Sequence, residues 1–110
     1  MTLTELRIAL ESVDNNAFKD KVAYRAFPVG AAPALPFICF QETQSNNFVA
    51  DTKVYHKITD VDIELYTEDK DPATEAALES MLNEKLLVWS KSEVYIESED
   101  VLQVLYEISI

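Results

Sequence analysis

At 110 residues, 48% of them apolar and 26% charged, the chain is long enough for one domain with an ordinary core and too hydrophobic for disorder. A single glycine, Gly30, excludes glycine-rich phosphate loops and dinucleotide fingerprints, and a single cysteine, Cys39, excludes a disulfide framework and a cysteine zinc site. The net charge of −11 lies wholly in the second half: residues 1–59 carry six acids and six Lys/Arg, whereas residues 60–110 carry fourteen acids against Lys70, Lys85 and Lys91 (3 − 14 = −11), which argues against gripping nucleic acid or anionic membrane.

The opening segment MTLTELRIALESVDNN lacks the basic start and continuous apolar stretch of a signal peptide. Leu3, Leu6, Leu10 and Val13 recur at spacings of three and four, which predicts a helix over Leu3–Ser12. Thr2 or Thr4 can cap it, Glu5 suits its first turn, and Asp14-Asn15-Asn16 ends it. Lys21–Phe27 is a β-rich run stopped by Pro28, and Val29–Pro36 (VGAAPALP) reads as an ordered loop. Phe37–Gln41 is an almost wholly apolar strand covered on both faces, in which Cys39 is a buried, inert thiol.

Gln44–Asn47 (QSNN) reads as a polar turn, followed by Phe48-Val49-Ala50 and the long run Lys53–Thr67. Alternation in that run changes phase: Val54, His56 and Ile58 share one parity, and Val61, Ile63 and Leu65 the other. A one-residue slip turns every side chain to the opposite face, so a single strand needs a β-bulge near Thr59-Asp60, the preferred reading, and two separate strands are the alternative. Asp71-Pro72 is a strong helix start, with Glu75 read at capping-box spacing and Ala77, Leu78, Met81, Leu82 and Leu86 as the buried stripe. Glu93–Glu97 and Val101–Ile110 alternate around a Ser98-Glu99-Asp100 hairpin turn. The expected fold is one α+β domain over residues 1–110, order α-β-β-β-α-β-β, with a mainly antiparallel sheet and two helices on one face. No stretch reaches the ~18 apolar residues of a helical membrane span.

Chemistry finds little support in these residues. His56 is the only histidine, and Cys39 and Ser90 lack a base placed by any motif. Asp62 and Glu64, two apart on one strand, read as the solvated face of a half-buried strand. Glu68, Asp69 and Asp71 lack the glycine and twelfth-position Glu of a calcium loop. The chain is read as a non-enzyme with no cofactor and no metal. Tyr55, Tyr66 and Tyr95, on the polar phase of their strands, raise the case for a protein contact surface.

The stretch ADTKVYHKITDVDIELYTEDKDPATEAALESML, followed by SEVYIESEDVLQVLYEI, resembles the tail-terminator (tail-completion, head–tail joining) proteins of long-tailed bacteriophages of Gram-positive hosts. The likeness rests on the turn around Ala50-Asp51 with Lys53 and Tyr55, on IELYT and KDP leading into a helix, and on YIESE with QVLYEI at the end. The resemblance implies a structural virion protein, made in the host cytoplasm and placed at the head–tail junction. It further implies a homohexameric ring that caps the tail tube and contacts the tail-tube and head-connector (stopper) proteins. DNA passes through such a ring without specific binding, no membrane is involved, and no catalytic residues carry over.

On that reading the acids line the channel, with Asp62, Glu64, Glu68, Asp69, Glu97, Glu99 and Asp100 as candidates, because an acidic wall repels phosphates. The neutral half supplies subunit and partner contacts, with Val29, Leu35, Phe48, Val49 and Tyr55 as candidates. A monomeric acidic DNA mimic that inhibits a DNA-binding enzyme is the alternative from a different class. It is disfavoured because the acids occupy only one half of the chain.

Overall fold

A computed structural model describes residues 1–45, 48–50 and 53–110, and for residues 48–50 and 53–56 only the strand backbone. The first helix, α1 (Leu3–Glu11), starts at Thr2, whose hydroxyl accepts from the Glu5 amide while Glu5 reaches back to the Thr2 amide, a complete capping box. A short turn, α2 (Val13–Asn16), follows, and Asp14, Asn15 and Asn16 all take positive φ, a conformation that short polar side chains tolerate. The remaining elements are β1 (Val22–Tyr24), β2 (Phe37–Ser45), β3 (Phe48–Ala50), β4 (Lys53–His56), β5 (Thr59–Thr67), α3 (Pro72–Glu84), β6 (Trp89–Ile96) and β7 (Val101–Ser109).

Five strands form one sheet in the order β1-β2-β5-β7-β6, and β3 pairs with β4 in a separate two-stranded sheet. The class is α+β, but the sheet is mixed: β1 runs parallel to β2, and the other pairings are antiparallel. A parallel pair needs a crossover of a dozen or so residues, and residues 25–36 supply it. β1 is also shorter than the expected Lys21–Phe27 run, because Arg25, whose amide still bonds the Phe40 carbonyl, turns to φ 69° and takes the chain out of the strand.

One parity of β2, β5 and β7 meets the helices. Ile38 and Phe40 of β2, Val61, Ile63 and Leu65 of β5, and Val104, Tyr106 and Ile108 of β7 pack with Leu6, Leu10, Leu78 and Leu82 in one core. The expected core residues Leu65, Leu78, Leu82, Val104 and Tyr106 are all fully buried. Each such side chain contributes roughly 1.5–3 kcal/mol of burial.

The phase change in Lys53–Thr67 is not a bulge within one strand. β4 ends at His56, and β5 begins at Thr59 in another sheet with other partners. The two phases belong to two strands that pair in different sheets. Register shifts occur in the pairings on either side of this point, between Glu42 and Gln44 where β2 meets β5 and between Phe48 and Val49 where β3 meets β4. Of the expected Gln44–Asn47 turn, Gln44 and Ser45 belong instead to β2, paired with Asp60 and Thr59, while Asn46 and Asn47, and Asp51 and Thr52 of the motif near Ala50, lie outside the described residues.

Helix α3 ends in a Schellman-type turn, with the Leu87 amide bonded to the Leu82 carbonyl and the Leu86 amide to the Asn83 carbonyl. The left-handed position that usually holds glycine is Leu86, at φ 59° and 90% exposed, so the expected buried stripe stops at Leu82 because the helix ends before Leu86. Its side chain therefore strains the backbone while burying almost nothing. Leu86→Gly should stabilise the isolated domain by roughly 0.5–1 kcal/mol. A rise of a few degrees in melting temperature is expected, and no rise would mean that Leu86 is not left-handed in solution.

Candidate functional site

The acids named from the sequence fall into two groups. β5 ends beside the start of β7, since Thr67 pairs with Leu102, so the turn after β5 and the β6–β7 turn share one end of the sheet. That end gathers Glu68, Asp69, Glu97, Glu99 and Asp100, all exposed. Lys70, the cation inside this stretch, is drawn away by Glu75 and Glu93, at 2.9 Å and 2.6 Å.

Asp62 and Glu64 form the second group, on the sheet face opposite the helices. Asp62 stands directly across from Glu107 on β7. Partial burial and that neighbouring carboxylate hold the Asp62 carboxyl above its usual range. Burial, more than the charge of Asp62, likewise raises Glu64, whose Oε2 accepts from the Tyr66 hydroxyl at 3.0 Å and from Gln103 Nε2 at 2.8 Å. Asp60, next along β5, moves the other way because Ser109 and Gln44 donate to it.

This open face is half covered. The 25–36 crossover lays Phe27 against Phe37, and Phe37 stacks on Tyr66, with ring centroids 5.3 Å and 5.1 Å apart. Beneath them lies Cys39, whose thiol burial pushes up to about 11, so it stays protonated and unreactive at neutral pH. Beyond the cover, a shallow groove is lined by Asp60, Asp62 and Glu107 on one side and Leu86 and Val88 on the other.

Among the proposed contact residues, Val29 is fully exposed and Leu35 partly buried, beside Glu68 and Asp69 at the acidic end. Phe48 and Val49 lie in β3 and Tyr55 in β4, but their side chains lie outside the described residues. Tyr66 is on the open face as expected. Tyr95 is not: its partner Leu102 faces the helices, so Tyr95 stands on the helix side of β6. The parity of β6 alone misleads because α3 offers that strand charged partners instead of apolar ones.

Those partners are the feature that sequence reasoning missed. Asp71 caps α3 through the Thr74 amide, which makes Thr74 the third helical residue and leaves Glu75 one position beyond the capping box. Glu75 is instead 2% exposed, and its Oε1 meets Lys70 at 2.9 Å and Lys91 at 2.7 Å. Burial alone would raise its carboxyl, but the hydrogen bonds from Lys91 and Lys70 outweigh it and hold the group below its usual range. Glu79 takes Lys91 and the Tyr106 hydroxyl, and Asn83 takes the Trp89 indole at 3.0 Å. Residues 75, 79 and 83 are one helix face, and 89, 91 and 93 one strand face, so the two patterns together were the available signal.

The comparisons with known proteins add no family: no family model matches the chain, and no characterised protein matches its sequence.

Two substitutions should respond to pH with opposite signs. Glu75 is lowered on folding, so its contribution is present above the unfolded value near 4.5 and lost as pH falls through the folded one. Glu75→Gln should cost on the order of 2 kcal/mol at pH 7, with the deficit shrinking below about pH 4.5 in urea melts. Asp62 is raised on folding, so its charge opposes folding at neutral pH and protonation relieves it. Asp62→Asn should therefore gain up to about 1 kcal/mol at pH 7, a gain that fades toward pH 4.

Proposed function

We propose that this protein is a non-catalytic, ring-forming subunit of a phage head–tail junction, a tail terminator whose acidic surface faces passing DNA. The observation that carries this reading is charge that folding keeps at a cost. Asp62 and Glu107 face each other across a strand pair, and five further acids share one end of the sheet. A surface that repels itself gains nothing for the fold, whereas at a channel wall it repels phosphates within roughly 8 Å, the Debye length in physiological salt.

Apolar exposure supports assembly. Ile8, Val29, Leu86, Val88 and Val94 are large side chains left in solvent, at 62%, 107%, 90%, 88% and 53%. Leu86 and Val88 precede β6, Val94 lies on it, and Val29 lies on the crossover loop. In a ring, such positions serve neighbours, the tail tube and the connector, while DNA passes through unbound.

The test is assembly combined with charge reversal. Native mass spectrometry of the wild-type chain should give a closed oligomer of a single size. Changing Glu68, Asp69, Glu97 and Glu99 to Lys should leave that size intact but confer DNA retention in a gel-shift assay, with ejection slowed in the phage. A monomer that instead captures a DNA-binding enzyme would replace this reading with the DNA-mimic one. A charge-reversed ring that ignores DNA would place these acids on the outside.

A further inference from the structure

The sheet ends in an unguarded edge. β6 runs eight residues against β7 without a register shift, and its sequence WSKSEVYI holds no proline or glycine. Edge strands are usually protected by bulges, prolines or outward charges, since free N–H and C=O groups invite another strand. Here the two charges of β6, Lys91 and Glu93, are turned to the helix side and engaged there. The opposite side of the strand presents Ser90, Ser92 and Val94, small or apolar and without charge, with exposed Val88 just before it. No strand of the described residues lies beyond β6.

The same chain holds an element with the reverse deficit. β3 and β4 pair only with each other among the described residues, and a hairpin alone is marginal in water. Its segment, FVADTKVYHK, has Lys53 and Lys57 against Asp51, plus His56, in a protein whose residues 60–110 sum to −11. Its excess of positive charge suits the acidic groove of Asp60, Asp62 and Glu107 on the open face.

We propose that the β6 edge of one copy pairs with the β3–β4 hairpin of a second copy, which adds the hairpin to the neighbour's sheet as extra strands. The contact joins two different surfaces, so it repeats head to tail and either closes into a ring or runs on as a filament. The inference rests on the ring reading above and assigns the interface within it.

Two crippled copies test it. Ser92→Lys with Val94→Lys blocks the edge and leaves the hairpin intact. Replacing residues 46–58 by Asn-Gly removes the hairpin, and the facing pair Ser45 and Thr59 allows so short a turn. Each variant alone should be monomeric in light scattering, with a cooperative melt, and an equimolar mixture should give a one-to-one heterodimer. If the double edge variant does not fold, Val94→Lys alone should weaken self-association at least tenfold. Self-association of the hairpin-less copy would show an edge-to-edge dimer and overturn the proposal. A closed oligomer that forms normally from either variant would overturn the interface while leaving the ring reading standing. A wild-type chain that stays monomeric at high concentration would remove both.

Discussion

The placement of β6 depends on a polar clamp to α3. Most edge strands are held from below by apolar side chains, but the inward residues of β6 include Lys91 and Glu93, with Trp89 the one large apolar contact to the core. Glu75 and Glu79 both take Lys91 and Asn83 takes the Trp89 indole, while Glu93 is held by Lys70 just ahead of α3, so strand and helix are joined by ion pairs and hydrogen bonds. Burying a carboxylate is costly unless it is paired; two lysines meet Glu75 Oε1, while Oε2 is buried without a hydrogen-bond partner among the described residues. Tyr106 ties the clamp to the core, because its hydroxyl donates to Glu79 while its ring packs against Trp89.

One consequence of the clamp is that the cations of the second half are largely consumed. Lys70 and Lys91 are shared among Glu75, Glu79 and Glu93 (2 − 3 = −1). The acids left over therefore collect where no cation competes, at the end formed by the β5–α3 and β6–β7 turns and along β5 on the open face. A uniform scatter of acids would serve solubility equally well. Internal pairing concentrates what remains, and that concentration motivates the proposed channel.

The clamp also frees the outer side of β6. With its charges held inward, the strand keeps a straight, uncharged edge, and the strained, exposed Leu86 and the exposed Val88 lead into it. The fold thus carries a costly self-repelling surface and an unprotected strand side by side. Both features are costs to the domain taken by itself, and both motivate the proposed assembly.

Much of this was legible in the chain itself. Asp71-Pro72 determined where α3 starts, strict alternation determined the buried faces of β5 and β7, and the stripe at Leu6 and Leu10 determined the inner side of α1. The split between a neutral and an acidic half is composition alone. These features rest on local rules, because caps and periodicities act between residues a few positions apart. The tertiary structure decided what depends on distant partners. The Lys53–Thr67 run divides because β4 and β5 join different sheets, and β1 lies parallel to β2 because a crossover loop, not a hairpin, connects them. Glu75 turns inward, and Tyr95 faces the helix side, because Lys91 and Glu93, sixteen and eighteen residues beyond Glu75, are brought beneath the helix. No period within α3 or within β6 encodes that meeting; it exists only once β7 has aligned the strand under the helix.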